Sequence, residues 1–142
     1  MEKKCDLCAK VKDHSSSDFL GVIGEVLVFK GPFSSKWPGH VMLVYKGHHE
    51  EMSELPKSES FFLFEQMIRI EKFLLEVDGV RKVNLAKFGN VSAHLHWHVI
   101  PRYENEIYKE KSPWELIEVS NVHRNSIRPP EPYAAMKKAL NL

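Results

Sequence analysis

The sequence predicts an α+β fold, in which a five-stranded antiparallel sheet carries one long helix between its third and fourth strands. Three observations predict it. Three β-rich runs, separated by Gly- and Pro-containing turns, occupy the first third of the chain. A long segment with helical hydrophobic periodicity follows, and two further β-rich runs come after it. Strands on both sides of a single inserted helix are typical of the α+β class.

The first three strands precede the helix. Residues 19–24 and 25–30 are predicted to form a hairpin that turns at Gly24 and Glu25. A loop rich in Gly, Pro and Ser covers residues 31–39. Residues 40–46 form the third predicted strand, which ends at Gly47.

The long helix is predicted over residues 58–77, with Ser58 as its N-cap and Gly79 just beyond its end. Its apolar face is predicted from residues near helical spacing, widened by four others. The first set is Phe61, Phe64, Ile68 and Leu75, and the second is Phe62, Met67, Phe73 and Leu74.

The last two strands are predicted at residues 80–89 and 95–103, joined by a short loop at 90–93. Beyond Pro101 the chain is polar and rich in proline. We expect residues 114–117 to pack back on the body and residues 133–140 to form a short terminal helix.

Composition narrows the possible functions. The chain has 142 residues with 20 basic and 19 acidic side chains, a net charge of +1, so no general nucleic-acid-binding face is expected. No apolar run reaches the length of a membrane span, so no membrane partner is expected. Two cysteines are too few for a disulfide scaffold. Residues 1–6 lack a secretory pattern, and the expected location is the cytoplasm.

Three histidines alternate with apolar residues in segment 94–100. Because side chains of a strand point alternately to its two faces, His94, His96 and His98 share one face. Neighbouring members of this row are about 6.6 Å apart, so more than one ring could reach a small anion or a metal. Large apolar side chains occupy the opposite face and point into a core: Leu95, Trp97 and Val99.

The histidine row allows three interpretations. It could be an ordinary polar strand face, a three-histidine zinc site that activates water, or a nucleophilic imidazole flanked by two others. A zinc site requires three rings to converge on one point, which their spread along a single strand makes awkward. A nucleophile requires only the row.

The sequence resembles the histidine triad (HIT) family of nucleotide hydrolases and transferases, whose signature is His-x-His-x-His followed by two apolar residues. The resemblance covers about residues 5–103. We therefore expect one HIT-like domain over residues 1–142, with its core at about 5–103 and an extension, 104–142, packed on it. Other segments that resemble the family are 38–44, 46–48 with Met52 and Leu55, 88–90 and 99–102.

The resemblance implies catalytic roles for three histidines. The middle one, His96, would attack the α-phosphorus of a nucleotide and form a covalent nucleotidyl-histidine, which water then releases. Its other ring nitrogen should donate its proton to an acceptor such as a backbone carbonyl. His98 and His40 take the flanking positions and would hold phosphoryl oxygens or help the leaving group. Transferase relatives that use sugar phosphates carry Gln where this chain has His98, which favours the hydrolase branches, and this chemistry requires no metal.

The implied substrate is a dinucleoside polyphosphate or a nucleoside phosphoramidate. Asn90 stands where relatives place an amide near the phosphates. Ser92 is displaced by one residue from a family Ser or Thr that touches the scissile bridge, and Val91 takes that place. The nucleoside is expected against the first hairpin and the 31–37 loop, on the apolar side chains Leu27, Phe29, Phe33 and Trp37.

Cys5 and Cys8 form a Cys-x-x-Cys pair near the N-terminus. By itself the pair could be redox-active, half of a metal site or two inert thiols, and no βαβ pattern supports a thioredoxin-like role. Several HIT branches bind a structural zinc through such a pair and two histidines. The corresponding histidines are His48 and His94, and a Cys2His2 set suits tetrahedral zinc.

The resemblance also implies a homodimer, since a five-stranded sheet leaves an exposed edge beside an apolar helix and family members usually pair these. The leading hypothesis is a HIT-type nucleotidyl hydrolase that cleaves phosphoanhydride or phosphoramidate bonds. A nucleotide-binding module with little turnover, a nucleotidyltransferase and a three-histidine metalloenzyme remain as alternatives.

Overall fold

Residues 5–142 are described by a computed structural model. Within them, five strands form one antiparallel sheet in the order β1-β2-β3-β5-β4. The strands are β1 (Phe19–Ile23), β2 (Val26–Lys30), β3 (Val41–Tyr45), β4 (Val80–Ala86) and β5 (His96–Tyr103). The α-helices are α1 (Asp6–Lys12), α2 (Lys57–Leu75) and α3 (Tyr133–Leu140). The predicted fold class, with the long helix between strands 3 and 4, is confirmed.

The two faces of the sheet have different covers. Helices α2 and α3 pack on one face, where the largest apolar core contains Val28, Leu43 and Val99. Helix α1 packs on the other face against Phe29 and Val44. The 31–37 loop and the chain after β5 also contribute to this second face. Its core side chains are Trp37, Ile100, Tyr103, Leu116 and Val122.

Helix α1 was not predicted. It has only seven residues, too few for a helical period to show, and Leu7 is its one buried side chain. Its N-cap is a cysteine, because the Cys5 thiol accepts a hydrogen bond from the Cys8 N–H at 3.3 Å. The Cys-x-x-Cys pair therefore forms the first turn of a helix.

The predicted apolar face of α2 is correct for Met67 and Leu74, which are buried, and wrong for its main row, which is exposed. Leu63, Met67 and Ile70 are fully buried, whereas Phe61 is 61% exposed and Ile68 is 58% exposed. Apolar residues surround more than half of this helix, so their periodicity could not distinguish the core face from the opposite one. An exposed apolar stripe results, consisting of Phe61, Phe64, Ile68 and Leu75.

The terminal helix forms where the sequence predicted it, and it reaches the loop before β3. The Tyr133 hydroxyl donates to the His40 carbonyl at 2.7 Å and accepts from the Gly39 N–H at 3.1 Å. Met136 and Leu140 join the core under the sheet. Part of the extension thus holds the backbone that carries His40.

No helix among residues 5–142 is both long and apolar enough to cross a membrane. Residues 1–4, which carry most of the expectation about a secretory signal, lie outside the described residues.

Candidate active site and zinc site

His96 is the first residue of β5 and is oriented by a backbone carbonyl. Its Nδ1 lies 2.6 Å from the carbonyl oxygen of His94. A carbonyl oxygen only accepts, so Nδ1 carries the proton and Nε2 of the neutral ring keeps its lone pair. The hydrogen bond expected from the sequence is present. His96 lines a cavity, so it can present a nucleophilic nitrogen to a ligand.

His40 and His98 form a directed hydrogen-bond chain. The Phe33 N–H donates to Nδ1 of His40 at 3.2 Å. The proton of neutral His40 is therefore on Nε2, which lies 3.0 Å from Nδ1 of His98. By the same reasoning, neutral His98 carries its proton on Nε2. His98 also lines the cavity and can donate that proton in a hydrogen bond to a bound oxygen.

Burial keeps this histidine pair neutral. His40 is 0% exposed and His98 is 7% exposed. Burial, with a smaller contribution from His98, lowers the pKa of His40 to about 3. Burial, with a contribution from His96, lowers the pKa of His98 to about 4. At pH 7 both rings are donors of hydrogen bonds rather than cations.

The position of His40 also depends on Gly31. The Gly31 N–H donates to the His40 carbonyl at 2.8 Å, which brings the loop backbone against the ring. A Cβ at position 31 would collide with the ring atoms of His40. Glycine is therefore required where the loop passes this histidine.

The cavity beside the histidines has a volume of about 630 Å³. Asn90, Ser92 and Phe33, which the sequence assigned to substrate binding, line it together with His96 and His98. His40 reaches the site through His98. The exposed Val91 also borders the cavity, with a side chain that is 95% exposed.

Three of the four side chains expected against the base are buried instead. Phe29 and Trp37 are 0% exposed and Leu27 is 2% exposed, and the cavity wall includes none of them. Phe29 packs in the core beside α1. Trp37 donates from Nε1–H to the buried Glu106 carboxylate at 3.1 Å. A side chain with almost no exposed surface cannot stack on a bound base, so the expected base contacts of Leu27, Phe29 and Trp37 are wrong.

Sequence reasoning missed several residues of the cavity wall. Leu7, Met42 and Pro32 supply apolar surface, and Phe88 and Trp114 supply aromatic surface. The Trp114 ring meets the His98 ring edge-on, with 5.2 Å between centroids. The sequence predicted that residues 114–117 pack on the rest of the domain. It could not predict that Trp114 contacts His98, because the local sequence does not show which part of the domain this segment meets.

A second cluster contains the cysteine pair, His48 and His94, whose ligand atoms all lie within 4.8 Å of one another. Nδ1 of His94 lies 3.6 Å from the Cys5 sulfur and 3.4 Å from the Cys8 sulfur. Nδ1 of His48 lies 3.2 Å from the Cys8 sulfur. Zinc bonds of about 2.3 Å to sulfur and 2.0 Å to nitrogen at tetrahedral angles place S and N about 3.5 Å apart.

The four residues therefore form a Cys2His2 site that fits a structural zinc. The second ring nitrogen of His94 supports this role. Its Nε2 lies 2.6 Å from the carbonyl oxygen of Tyr45, so that nitrogen carries the proton and Nδ1 is free to ligate. The predicted ligand set is thus brought together by the fold.

The three motif histidines do not converge on one point. The ring of His94 turns to the cysteine pair, whereas the rings of His96 and His98 lie 5.3 Å apart at the cavity. His94 nevertheless connects the two sites, since its backbone carbonyl holds His96 while its ring joins the zinc cluster.

Comparisons with known proteins identify the family. The family model of the HIT domain matches residues 13–105, more than half of the chain, and the chain therefore belongs to the HIT-domain family. An uncharacterised HIT-like protein of Methanocaldococcus jannaschii is 34% identical over 74 residues. That match covers 48% of this chain and 56% of the relative, little more than half of the relative's length.

Solved structures share the fold. A histidine triad protein from Sinorhizobium meliloti 1021 has a TM-score of 0.63 at 21% identity, with 87% of this chain and 86% of that chain covered. A zinc-bound histidine triad family protein from Mycobacterium smegmatis has a TM-score of 0.59 at 20% identity, with 77% and 83% covered. A HIT family hydrolase from Clostridium thermocellum has a TM-score of 0.53 at 20% identity, with 73% and 95% covered.

The zinc site predicts about one zinc per purified chain. Cys5→Ser removes one of its four ligands, so we expect it to lower metal content and the melting temperature. The per-molecule rate of the surviving folded protein should fall less, because the site acts on His96 only through the backbone of His94. Metal analysis and thermal unfolding measure this. A protein prepared with zinc and without chelator that contains none contradicts the site.

Acid should destabilise the fold through His40 and His98. Their pKa values in the native state lie below the ordinary value of 6.5, so the unfolded chain binds protons first as the pH falls. The stability that this difference contributes is present above pH 6.5. It is lost as the pH falls from 6.5 to about 4 for His98 and to about 3 for His40. His98→Gln removes one of these titrations and keeps a side chain that forms hydrogen bonds.

We expect the free energy of unfolding in urea to fall less steeply with pH in His98→Gln than in the wild type. The difference should be about 1–2 kcal/mol over two pH units, since each unit of pKa shift is worth about 1.4 kcal/mol. Zinc release in acid affects both proteins alike, so the comparison isolates His98. Parallel slopes for the two proteins would rule out this contribution.

Proposed function

We propose that this chain is a nucleotidyl hydrolase that acts at the α-phosphorus of a nucleotide through a covalent nucleotidyl-His96 intermediate. The observation that carries the proposal is the hydrogen bond from Nδ1 of His96 to the His94 carbonyl, which leaves Nε2 as a free lone pair at the cavity. Membership of the HIT-domain family supports a nucleotide-related activity. The Clostridium thermocellum neighbour, a HIT family hydrolase, supports hydrolysis.

In the first step Nε2 of His96 attacks the α-phosphorus. The Nε2–P bond forms as the bond from phosphorus to the leaving group breaks, and the electron pair of that bond departs with the leaving group. The positive charge that develops on the ring is stabilised by the His94 carbonyl, which already accepts from Nδ1–H. Nε2–H of His98 donates to a phosphoryl oxygen and stabilises its negative charge.

In the second step water attacks the same phosphorus. The Nε2–P bond breaks and its electron pair returns to His96. One proton of the water stays on the nucleoside monophosphate and the other passes to solvent. The neutral His40–His98 pair acts in both steps as a fixed dipole and exchanges no proton.

The apolar wall of the cavity supports the placement of the nucleoside. Leu7, Phe33 and Met42 form this wall beside His96 and His98. Apolar and aromatic side chains suit a base, and polar groups near the phosphates give orientation. Asn90 and Ser92 line the same cavity and can supply those polar contacts.

The three-histidine metalloenzyme loses support because His94 turns away from His96 and His98. The Cys2His2 set instead supports a structural role for zinc, as does the zinc-bound relative from Mycobacterium smegmatis. Thiolate ligands require reduced cysteines, which supports a reducing compartment such as the cytoplasm.

A panel of dinucleoside polyphosphates and nucleoside phosphoramidates, with products identified by mass spectrometry, tests the activity. His96→Ala should reduce turnover by at least about 1,000-fold and still fold, since the ring lies at a cavity. Added imidazole should partly restore turnover in His96→Gly, because it can occupy the place of the missing nucleophile.

His14→Ala is the control, since this exposed histidine follows α1 and its ring hydrogen-bonds only the Val11 carbonyl of that helix. Near wild-type rates in His96→Ala contradict the mechanism. Nucleotide binding without products from any substrate favours the binding module. Transfer of the nucleotide to an acceptor other than water favours the transferase.

We also propose that two copies of the chain form a dimer. The exposed apolar stripe of α2 includes Phe61, Phe64 and Ile68, large side chains that water contacts in one copy. Strand β4 lies at an edge of the sheet, so its outer backbone groups can pair with a second strand. Both features can be covered together by a two-fold symmetric partner.

Light scattering at micromolar concentration should give twice the chain mass of 16.5 kDa. Ile68→Glu places a charge in the stripe and should shift the mass to that of one chain. Ala135→Glu, which adds the same charge at an exposed position on α3, should leave it doubled. A monomer throughout the micromolar range would argue against the dimer.

A further inference from the structure

A second cavity lies beside the catalytic one. Its volume is about 670 Å³, and β4, β5 and residues 109–114 of the extension form its walls. Phe88 and Trp114 line both cavities, and their ring centroids are 4.7 Å apart. This aromatic pair is therefore a wall that the two cavities share, next to His98.

The strand order places the two cavities on different sides of β5, the strand that carries His98. The apolar wall proposed for the nucleoside is on the β3 side, and the second cavity is on the β4 side. Met42 of that wall is on β3, and β5 separates β3 from β4. Ala86 pairs with His98 and Lys82 pairs with Arg102, so Lys82 shares the face of the catalytic histidines. Four residues of strand separate Ala86 from Lys82, about 13 Å.

The second cavity is basic, although the whole chain has a net charge of only +1. Five basic side chains and one acidic side chain line it: Arg81, Lys82, Arg102, Lys109, Lys111 and Glu110. Arg102 is committed to the buried Glu106, and Arg81 and Lys109 approach Glu104. No acidic side chain among residues 5–142 forms an ion pair with Lys82 or Lys111, which leaves both ammonium groups able to bind an anion.

The hydrogen-bond chain at the catalytic cavity favours a leaving group that needs no proton. If His98 gave up its Nε2 proton, it would have to take a proton from Nε2 of His40. His40 could then be reprotonated only by its own hydrogen-bond donor, the backbone N–H of Phe33. A backbone amide does not release its proton at neutral pH. An amine leaving group requires a proton, whereas a phosphate chain departs as a stable anion.

We propose that the second cavity is a polyphosphate-binding subsite in which Lys82 and Lys111 receive the leaving group. This rests on the proposed function, and it assigns to that function a substrate with a phosphoanhydride bond. The bond between the α-phosphorus and the bridging oxygen breaks, and its electron pair remains on that oxygen. The departing phosphate chain passes Trp114 and carries its negative charge to the two lysines.

Calorimetric titration with inorganic tripolyphosphate tests the subsite directly. We expect the double variant Lys82→Ala with Lys111→Ala to bind it about tenfold more weakly than the wild type. The matched control is Lys137→Ala with Lys138→Ala on α3, which removes the same charge from two exposed positions elsewhere. The control should bind tripolyphosphate as the wild type does.

Kinetics test the role in turnover. Diadenosine tetraphosphate and adenosine 5′-phosphoramidate transfer the same nucleotide and differ in their leaving groups. The kcat/KM for the tetraphosphate divided by that for the phosphoramidate should fall about tenfold in the Lys82/Lys111 variant. The same ratio should stay unchanged in the control. In the wild type, added salt should lower kcat/KM more steeply for the tetraphosphate than for the phosphoramidate, because ions screen exposed charges.

The two proposals fail in different ways. Equal tripolyphosphate affinity in the Lys82/Lys111 variant and the control overturns the subsite, and so does an unchanged kinetic ratio. If the protein turns over neither substrate, the proposed function is contradicted instead. Tripolyphosphate binding then still decides whether Lys82 and Lys111 form an anion site.

Discussion

The hydrogen bond between Nδ1 of His96 and the backbone carbonyl of His94 is the interaction on which the rest of the site depends. It selects the ring tautomer, aims the free nitrogen at the cavity and stabilises the charge that a covalent bond would create. The carbonyl is itself held in place, because the ring of His94 lies between the Tyr45 carbonyl and the two cysteine sulfurs. A structural zinc site and the candidate nucleophile therefore share one residue without sharing a ligand atom.

A second constraint is the burial of two neutral histidines. An imidazole hidden from water is tolerated when its polar atoms have partners, and here the Phe33 N–H, His40 and His98 supply one another in sequence. The chain after β5 contributes to this burial. Tyr133 holds the backbone of His40, and Trp114 covers the edge of His98. The extension, which lies almost entirely beyond the residues that the family model matches, is thus a structural component of the candidate active site and of the basic cavity beside it.

The sequence predicted the five strands, α2 and α3 because their alternation or periodicity is local. It also predicted the Cys2His2 ligand set and the carbonyl partner of His96 from resemblance and spacing. It placed the main row of the apolar face of α2 on a side that stays exposed, since a helix that is apolar around most of its circumference does not show which side a sheet will cover. It likewise predicted that Phe29 and Trp37 contact a bound base, whereas the fold buries both side chains completely.

The sequence by itself thus determined the fold class, the histidine row and the Cys-x-x-Cys pair, because each consists of residue types at short, regular spacing. The two histidine ligands of the metal site came from the family resemblance. Only the tertiary structure decided that His94 turns to the cysteines while His98 meets His40. It also brought Leu7 and Trp114 to one cavity and placed lysines from β4 and the extension beside it. These are contacts between residues up to about a hundred positions apart. These contacts depend on the chain topology and on how side chains pack on one face of the sheet, so no local sequence pattern predicts them.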